Sequence, residues 1–350
     1  SEPMDMTTQM VGKLANDIIT SLEVKTKQDV MKAPTANADA YELYLKSKNI
    51  YYKHDNMDDT EIARGLLNKA IELDDNLIAA KHLLGDIYNN YDKAMEIFSL
   101  ALTKSEELGD KLWIGRSLRK VGNAYYGKGN KDMALDYWER SLAIAEELGD
   151  KHGMGASLHN IGIVYYNKGE YDKAINYYER SLAIKEEIGN KSGMGAILHK
   201  IGLVFVDQGD DDTALDYYGR SLAIFEELGD KFGIGLNLGN IGIVYYNKGD
   251  YKKALDYLEK SLSIRKEIGF KSFELETTTC LYLTYKHLGR DYDINEIHIL
   301  IKDAENIESD LNYEIYQLLE DKSYLETAYN QVQEKADNLE PDVAAKFLSY

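Results

Sequence analysis

Cysteine and proline are scarce in this 350-residue chain, which contains one Cys and three Pro. The single cysteine, Cys280, excludes an intrachain disulfide and a thiolate-rich zinc site, and it fits a reducing compartment such as the cytoplasm. The prolines stand at positions 3, 34 and 341. Roughly 300 consecutive residues therefore contain no obligate helix breaker, and we expect an all-α protein.

Long apolar runs and an excess of positive charge are also absent. No segment approaches the ~20 apolar residues that cross a bilayer, and no secretory signal opens the chain, so membrane insertion is not expected. The formal charge is −19, from 60 acidic and 41 basic side chains, which argues against binding nucleic acid. Residues 289–350 hold 15 of the acidic and only 5 of the basic side chains, so this end would attract a basic partner.

A period of 40 residues is what the sequence does have. Glycine recurs at that spacing from position 109 to position 269, and Arg-Ser-Leu-Ala-Ile recurs at 140–144, 180–184 and 220–224. The nine residues Ile-Gly-Ile-Val-Tyr-Tyr-Asn-Lys-Gly stand at both 161–169 and 241–249. Repetition at a fixed period of this size is typical of solenoids and repeat arrays.

Residues 149–188 form one such repeat. Leu158 and Tyr165 belong to one apolar stripe at helical spacing, and Ala174 belongs to a second stripe after a polar turn. Gly189 then suits the left-handed conformation that ends a helix. Each repeat is therefore predicted to be two antiparallel helices, A and then B. Neither helix can bury its stripe alone, so neighbouring repeats must stack.

These residues resemble the tetratricopeptide repeat (TPR). Its pattern has Leu, Gly and Tyr in helix A, then Ala, an aromatic and a small residue in helix B. Four consecutive units match; in one of them the matching residues are Leu158, Ile161, Gly162, Tyr165, Ala174, Tyr178 and Ser181. The resemblance implies a right-handed α-solenoid of antiparallel helix pairs. Gly162 would lie where the helices cross closely, so a bulky group there would overpack the crossing.

The family's usual proline after helix B is missing, and Glu186 and Glu226 stand in equivalent places. We expect helix B to run about one turn further, which accounts for a period of 40 residues instead of the usual 34. This long-helix variant looks like the arrays of cell-polarity scaffolds and of bacterial multidomain and peptide-sensing signalling proteins.

Four parts are expected along the chain. Residues 1–38 are predicted to be an N-terminal amphipathic helix and a linker, and residues 39–108 two degenerate TPR units. Residues 109–270 are four regular units, and residues 271–350 are degenerate units with an acidic C-terminal cap, ending in a short helix. In the degenerate units Ser47 and Tyr282 replace the crossing glycine. The larger residue, Tyr282, is expected to hold its helix pair further apart.

In this family the helix A side chains that do not serve A/B packing line a concave groove. The resemblance implies such a groove here, formed by Arg116, Arg119, Asn123, Tyr126, His159, Asn160, Ile163, Tyr166, Asn167, His199, Lys200, Leu203, Asn240, Ile243, Tyr246 and Asn247. Its floor is apolar and aromatic, and its walls carry amides and a few basic groups. Spaced Asn amides can hold an extended peptide backbone. The family's two-carboxylate clamp is not reproduced; Arg119 with Asn123 comes nearest to it.

Structural roles compete with ligand binding at these positions. Asn160 would equally well bridge adjacent helices, and exposed Tyr and Ile at helical spacing are more often inter-repeat packing. His159 and His199 stand one repeat apart, but no carboxylate or Cys completes a metal-ligand set. Rows of Arg and Glu on helix B are typical of a solvated face. The acidic turn at 210–212 lacks the spacing of an EF-hand loop.

No motif for catalysis or phosphate binding occurs, so we expect no enzyme activity and no cofactor. The leading hypothesis is a module that binds a peptide or helix of a partner protein in its groove. The alternative is a structural array, either self-assembling into a homo-oligomer or spacing an attached catalytic or DNA-binding domain. Because the chain starts at Ser1 without Met and ends at Tyr350, we expect a fragment of a larger scaffold or signalling protein.

Overall fold

The computed structural model describes residues 35–53, 57–269, 274–304 and 307–337. In these ranges the chain forms sixteen helices and no strand. They are α1 (Ala38–Lys53), α2 (Met57–Leu73), α3 (Ile78–Ile87), α4 (Tyr91–Glu107), α5 (Lys111–Gly127), α6 (Lys131–Leu148), α7 (Lys151–Asn167), α8 (Tyr171–Glu187), α9 (Lys191–Asp207), α10 (Asp211–Leu228), α11 (Lys231–Asn247), α12 (Tyr251–Glu267), α13 (Glu274–Leu288), α14 (Ile294–Asp303), α15 (Ser309–Leu319) and α16 (Lys322–Asp337). The predicted all-α fold is confirmed.

The chain divides into two compact units, residues 1–184 and 185–350. Within each unit, consecutive helices pack against each other as antiparallel pairs, which is the predicted solenoid arrangement. Helices α1, α3, α5 and α7 are the A helices of unit 1, and α9, α11 and α13 are those of unit 2. The predicted N-terminal helix and the predicted short helix after residue 341 lie outside the described residues. The four-part division of the chain stays a prediction.

Glycines end the B helices of the regular repeats, as predicted. Gly149 follows α6 with φ at +65°, and its backbone N–H bonds back to the last turn of the helix. The glycines 40 residues before and after it also have positive φ. Glu186 and Glu226 lie inside α8 and α10, so helix B does continue past the place of the family's proline. A left-handed glycine here replaces proline as the stop signal.

Acidic and amide side chains begin the helices that follow. Asp150 accepts a hydrogen bond from the Gly153 N–H at 3.1 Å and so caps α7. Asp210 caps α10 in the same way, through the Thr213 N–H at 3.2 Å. The acidic turn at 210–212 is therefore engaged by the fold itself.

In the regular repeats, a buried contact and a buried hydrogen bond join each A helix to its B helix. The Tyr178 ring packs against Gly162 so closely that a Cβ on Gly162 would lie 2.6 Å from its Cε1. One turn after Tyr178 on helix B, the Ser181 hydroxyl donates to the Gly155 carbonyl at 2.6 Å. The equivalent serine bonds are Ser141 to Gly115, Ser221 to Gly195 and Ser261 to Gly235. The crossing is thus fixed at two points in every regular repeat.

The degenerate helix pairs have other residues in place of the glycine at the crossing. Ser47 stands where glycine is expected, is fully buried and donates to the Ala63 carbonyl at 2.9 Å, so its extra hydroxyl is satisfied. Tyr282 of α13 is buried, and its hydroxyl donates to Glu296 on α14. Helix α13 packs more extensively against α15 than against α14. The wider spacing expected from Tyr282 stays a prediction.

Charged rows on the helix surfaces form ion pairs that link successive repeats. Lys168 reaches Asp132 at 2.8 Å in unit 1, and Lys248 reaches Asp212 at 2.9 Å in unit 2. In both pairs the carboxylate is more than four-fifths exposed, so each pair contributes little to stability. The B-helix arginines lie over tyrosine rings on the same surface; Arg180, for example, lies 5.4 Å from the centre of the Tyr177 ring.

Replacing Gly162 with Ala is expected to lower the free energy of unfolding by about 1–3 kcal/mol, because the new methyl group meets the buried Tyr178 ring. The matched control is Gly65→Ala in α2, where a Cβ meets nothing within 4 Å. Helix propensity alone should make that variant up to about 1 kcal/mol more stable. Urea unfolding followed by circular dichroism measures both changes. Equal shifts in the two variants would contradict the close crossing.

Candidate functional site

The A helices of unit 1 line a pocket of about 320 Å³. Helix α1 contributes Tyr44, Lys48 and Tyr52, which recur every four residues and so share one face. Helix α3 contributes Ala79, His82, Leu83 and Asp86; α5 contributes Trp113, Arg116 and Arg119; and the start of α7 contributes Asp150, His152 and Gly153. Four successive A helices therefore form one concavity, and two predicted groove residues, Arg116 and Arg119, line it.

The charge in this pocket is mainly positive. Lys120 forms an ion pair with Asp86, and its Nζ lies 2.5 and 2.6 Å from the two carboxylate oxygens. The guanidinium of Arg116 lies 5.1 Å from the centre of the Trp113 ring, a cation–π contact. Burial, together with the charge of Arg116, lowers the pKa of Arg119 from its usual range. Both arginines line the pocket, and the carboxylates of Asp86 and Asp150 in the same lining oppose the lowering of the Arg119 pKa.

His82 lies behind the arginines and is only 8% exposed. Its Nε2 is 2.8 Å from the Ser117 hydroxyl, and its ring contacts Trp113 edge to face at 5.2 Å. Burial and the nearby charges of Lys120, Arg119 and Arg116 lower the pKa of His82 to about 3. The imidazole is therefore neutral at physiological pH and adds no charge to the pocket.

Asparagine side chains link α5 to α7 on the same face. The Asn123 Oδ1 accepts from Trp138 Nε1 at 3.0 Å and from Asn160 Nδ2 at 3.0 Å. The sequence left a bridging role and a ligand role open for Asn160, and the structure shows the bridge. Asn167 Nδ2 likewise donates to the Tyr126 hydroxyl at 2.7 Å. Each of Asn160 and Asn167 thus uses one amide N–H within the fold, and its second N–H and its carbonyl oxygen form none of these bonds.

The other groove residues of unit 1 form a half-buried floor. Ile163, Tyr166 and His159 are neither fully buried nor fully exposed. The His159 ring is 5.8 Å from that of Tyr178, and Tyr166 contacts Tyr171 at 6.2 Å between ring centres. These side chains pack against neighbouring rings and are also partly exposed. The arrangement is therefore compatible with both inter-repeat packing and a groove floor.

In unit 2, His199 does not line a groove wall as predicted. Its side chain is only 5% exposed, its Nδ1 is 3.2 Å from Asn237 Oδ1, and its ring centre is 5.4 Å from that of Tyr218. Burial and the neighbouring Lys200 lower its pKa to about 4, although the hydrogen bond with Asn237 opposes this. The buried side chain of His199 thus contacts Asn237 on α11, the next A helix.

Five further groove residues of unit 2 are placed as partly exposed side chains of A helices. They are Lys200, Leu203, Asn240, Ile243 and Tyr246. Burial lowers the pKa of Lys200 and raises that of Tyr246 to about 12. The Tyr246 hydroxyl lies 3.4 Å from His287 Nε2. Asn247, at the end of α11, is exposed.

Gly239 of α11 stands 40 residues after His199, and the space beside it is filled by a side chain of the neighbouring helix. Arg265 of α12 is only 4% exposed, donates through Nε to the Ser261 hydroxyl at 3.1 Å and extends to the Gly235 carbonyl at 3.4 Å. A Cβ on Gly239 would lie 2.8 Å from its guanidinium. The basic group therefore comes from helix B here, which single-repeat reasoning about helix A did not find.

Two buried carboxyl groups were also missed by sequence reasoning. Glu276 on α13 and Glu314 on α15 both have raised pKa values because burial disfavours their charge, and Glu276 helps raise the pKa of Glu314 to about 8. The Oε2 atom of Glu314 is buried and has no hydrogen-bond partner among the described side chains. Each of them lies in a helix outside the regular repeats, where no periodic pattern marked it.

Across the described ranges, no group of three or more His, Cys, Asp or Glu side chains is arranged to hold a metal ion. The same residues contain no helix that is long and apolar enough to cross a membrane.

A family model described as Tetratricopeptide repeat matches residues 76–147, 118–187 and 193–267, which together make up more than half of the chain. Many solved structures match the fold. A search of curated proteins finds no match.

Three of the similar structures cover almost the whole chain. A signal transduction ATPase with numerous domains and a tetratricopeptide repeat sensor, from Pyrococcus horikoshii, is 15% identical, with a TM-score of 0.65 over 99% of this chain and 55% of its own. Aspartyl phosphate phosphatase F from Bacillus subtilis is 16% identical, with a TM-score of 0.63 over 99% and 91%. The Rap conjugation gene regulator of the plasmid pLS20, in complex with the Phr* peptide, is 16% identical, with a TM-score of 0.62 over 93% and 95%. At such identities these likenesses show the fold.

Acid is expected to destabilise the fold through its buried histidines. Because the pKa of His199 in the fold is about 4, below the ordinary 6.5, the unfolded chain binds the proton more readily. The stabilisation is therefore complete above about pH 6.5 and is lost as the pH falls towards 4, by roughly 3 kcal/mol at most. Replacing His199 with Gln should make the free energy of unfolding less dependent on pH in that window.

The matched control is His152→Gln, which changes an exposed histidine and should keep the pH dependence of the wild type. His82 acts in the same direction as His199, so the variant should reduce the slope without removing it. Urea unfolding at pH 7, 5.5 and 4 provides the comparison. An unchanged slope in His199→Gln would show that this histidine is not held neutral by the fold.

Proposed function

Because this chain belongs to the tetratricopeptide repeat family, we propose that it is a protein-interaction module whose A-helix face binds a peptide or helix of a partner protein. One observation carries the proposal. In unit 1, four successive A helices form one concavity that is lined by aromatic and basic side chains. A surface that combines apolar rings with a few directed polar groups is the usual composition of a specific binding site.

The apolar part of this face would supply most of the affinity. Tyr44 and Trp113 line the pocket, and Ile163 and Tyr166 continue the A-helix face on α7 as partly exposed side chains. Aromatic side chains bury large areas at little entropic cost and are enriched where proteins recognise each other. The same mode, an A-helix face with half-buried Leu203 and Ile243, is available separately in unit 2.

The polar part would set the direction and charge of the ligand. Asn160 still has one N–H and its own carbonyl for a peptide backbone after bonding to Asn123. The cations of unit 1 favour a neutral or acidic segment there.

The comparisons support the choice of ligand class through the fold they share. One structure of the same fold is in complex with a peptide, and another is described as a sensor. We extend the proposal to a role as a scaffold or signalling module in the cytoplasm, binding a protein and neither nucleic acid nor a membrane. No catalytic step is assigned to this chain.

A library of displayed twelve-residue peptides, selected on the purified chain, tests the proposal. Selected peptides should bind Asn160→Ala about two- to tenfold more weakly, the loss expected for one or two hydrogen bonds. They should bind Asn240→Ala more weakly as well if they occupy unit 2. Titration calorimetry gives the affinities.

Asn176 on α8 offers a matched control, because it is an exposed asparagine on a B helix in the same unit as Asn160. Asn176→Ala should bind the selected peptides like the wild type. The proposal fails if no peptide is enriched, or if Asn160→Ala, Asn240→Ala and Asn176→Ala all bind the peptides as tightly as the wild type.

A further inference from the structure

We propose that residues 6–22, which precede the described part of the chain, pack on the first A helix, α1, and cover its Tyr41 and Leu45 side chains. The contact lies within one chain, so it goes beyond the proposed binding of a partner protein. It would fill the face of α1 that borders the pocket, because Tyr44 and Lys48 of the same helix line that pocket.

Helix α1 buries apolar side chains that belong to no contact with another described helix. Tyr41 and Leu45 are only 7% and 9% exposed. Among the described residues, the apolar side chains packed against these two are Ala38 and Tyr44, which both belong to α1 itself. The core that joins α1 to α2 and α3 is a different cluster, to which α1 contributes Ala40. Because one helix does not bury a stripe with its own side chains, another segment must cover this face.

The later repeats show which way this face points. Lys120 of α5 stands two residues before the crossing Gly122, and it bonds Asp86 on the preceding A helix, α3. The equivalent bond from α7 back to α5 is that of Asn160 to Asn123. Leu45 stands two residues before Ser47, which takes the place of the crossing glycine in α1. Leu45 therefore faces the side on which a preceding A helix would lie, and its partner there must be apolar.

The residues before α1 supply an apolar stripe of suitable length. The sequence predicts an amphipathic helix in this segment, with an apolar residue at every fourth position: Met6, Met10, Leu14, Ile18 and Leu22. Such a helix would be about as long as α1, whose 16 residues span about 24 Å. Residues 23–34 can extend up to about 40 Å, so the stripe can reach every part of this face.

The point at which this segment meets the described helices is fixed by hydrogen bonds. The Thr35 hydroxyl donates to the Asp74 carboxylate, and Asn37 Nδ2 donates to the Leu73 carbonyl at 3.0 Å. These bonds hold residues 35–37 at the end of α2. The chain before them therefore enters beside the first turn of α1, where Tyr41 stands.

The reactivity of an introduced thiol tests the contact in the full chain. Leu45→Cys should react slowly with dithiobis(nitrobenzoate), because the proposed segment covers it. Adding Leu14→Asp and Ile18→Asp should raise this rate at least about tenfold, since charged groups oppose packing on an apolar face. The buried native Cys280 gives the background rate, which is measured in the wild type.

Asn16→Asp with Thr20→Asp is the matched control, because it adds the same two charges on the opposite face of the predicted helix. It should leave the rate of Leu45→Cys unchanged. Leu67→Cys is a second control, since Leu67 of α2 is fully buried in the core between described helices. Its thiol should stay slow when the two apolar residues of the stripe are replaced.

Faster reaction of Leu45→Cys alone, in the chain with the altered stripe, supports the inference. The inference is wrong if the stripe variant and its control give Leu45→Cys the same rate, or if Leu67→Cys is accelerated as much as Leu45→Cys. A rate that falls as the protein concentration rises would identify a second copy as the cover, and would also overturn it. Peptide selection tests the proposed function independently of this contact.

Discussion

The close approach of helix A to helix B at a glycine is the constraint on which the rest of the structure depends. At Gly85, Gly122, Gly162 and Gly202, an added Cβ would lie only 2.3–2.7 Å from an aromatic side chain of helix B. The aromatic ring therefore packs on bare backbone. In the regular repeats, a serine one turn further along helix B also bonds to the A helix. Two fixed points leave a helix pair little freedom to tilt. The pairs can then stack in a regular way because each has nearly the same shape.

This constraint explains how one scaffold carries different chemistry along the chain. The back of helix A is committed to the crossing, so variation is tolerated mainly on its other face. The residues at one equivalent position of that face are Arg119, His159, His199 and Gly239. Arg119 lines a pocket, His199 is buried against Asn237, and the guanidinium of Arg265 lies beside Gly239. Neighbouring helices decide which of these side chains can meet a ligand.

The repeat made the helices and their ends predictable, because period, glycine and apolar stripe are all local signals. Gly149 and the longer helix B are examples. The state of the site was less predictable, because it depends on contacts between repeats. His82 and His199 are each buried by a partner, Ser117 or Asn237, that stands more than thirty residues later on the next A helix. Tyr44 and Lys48 belong to a degenerate unit, so no repeat pattern pointed to them as pocket residues. Contacts of this kind become visible only when the helices are placed in space.

The bonds that tie Asn160 to Asn123 and Asn167 to Tyr126 have a further consequence for recognition. These side chains are already ordered before any ligand arrives, so binding does not have to freeze them. A preorganised surface of this kind selects ligands that fit its existing shape, and affinity differences among them should appear mainly in how fast they leave. The asparagines would then act as rigid spacers that hold adjacent helices in register, and specificity would reside in the side chains that vary from one repeat to the next.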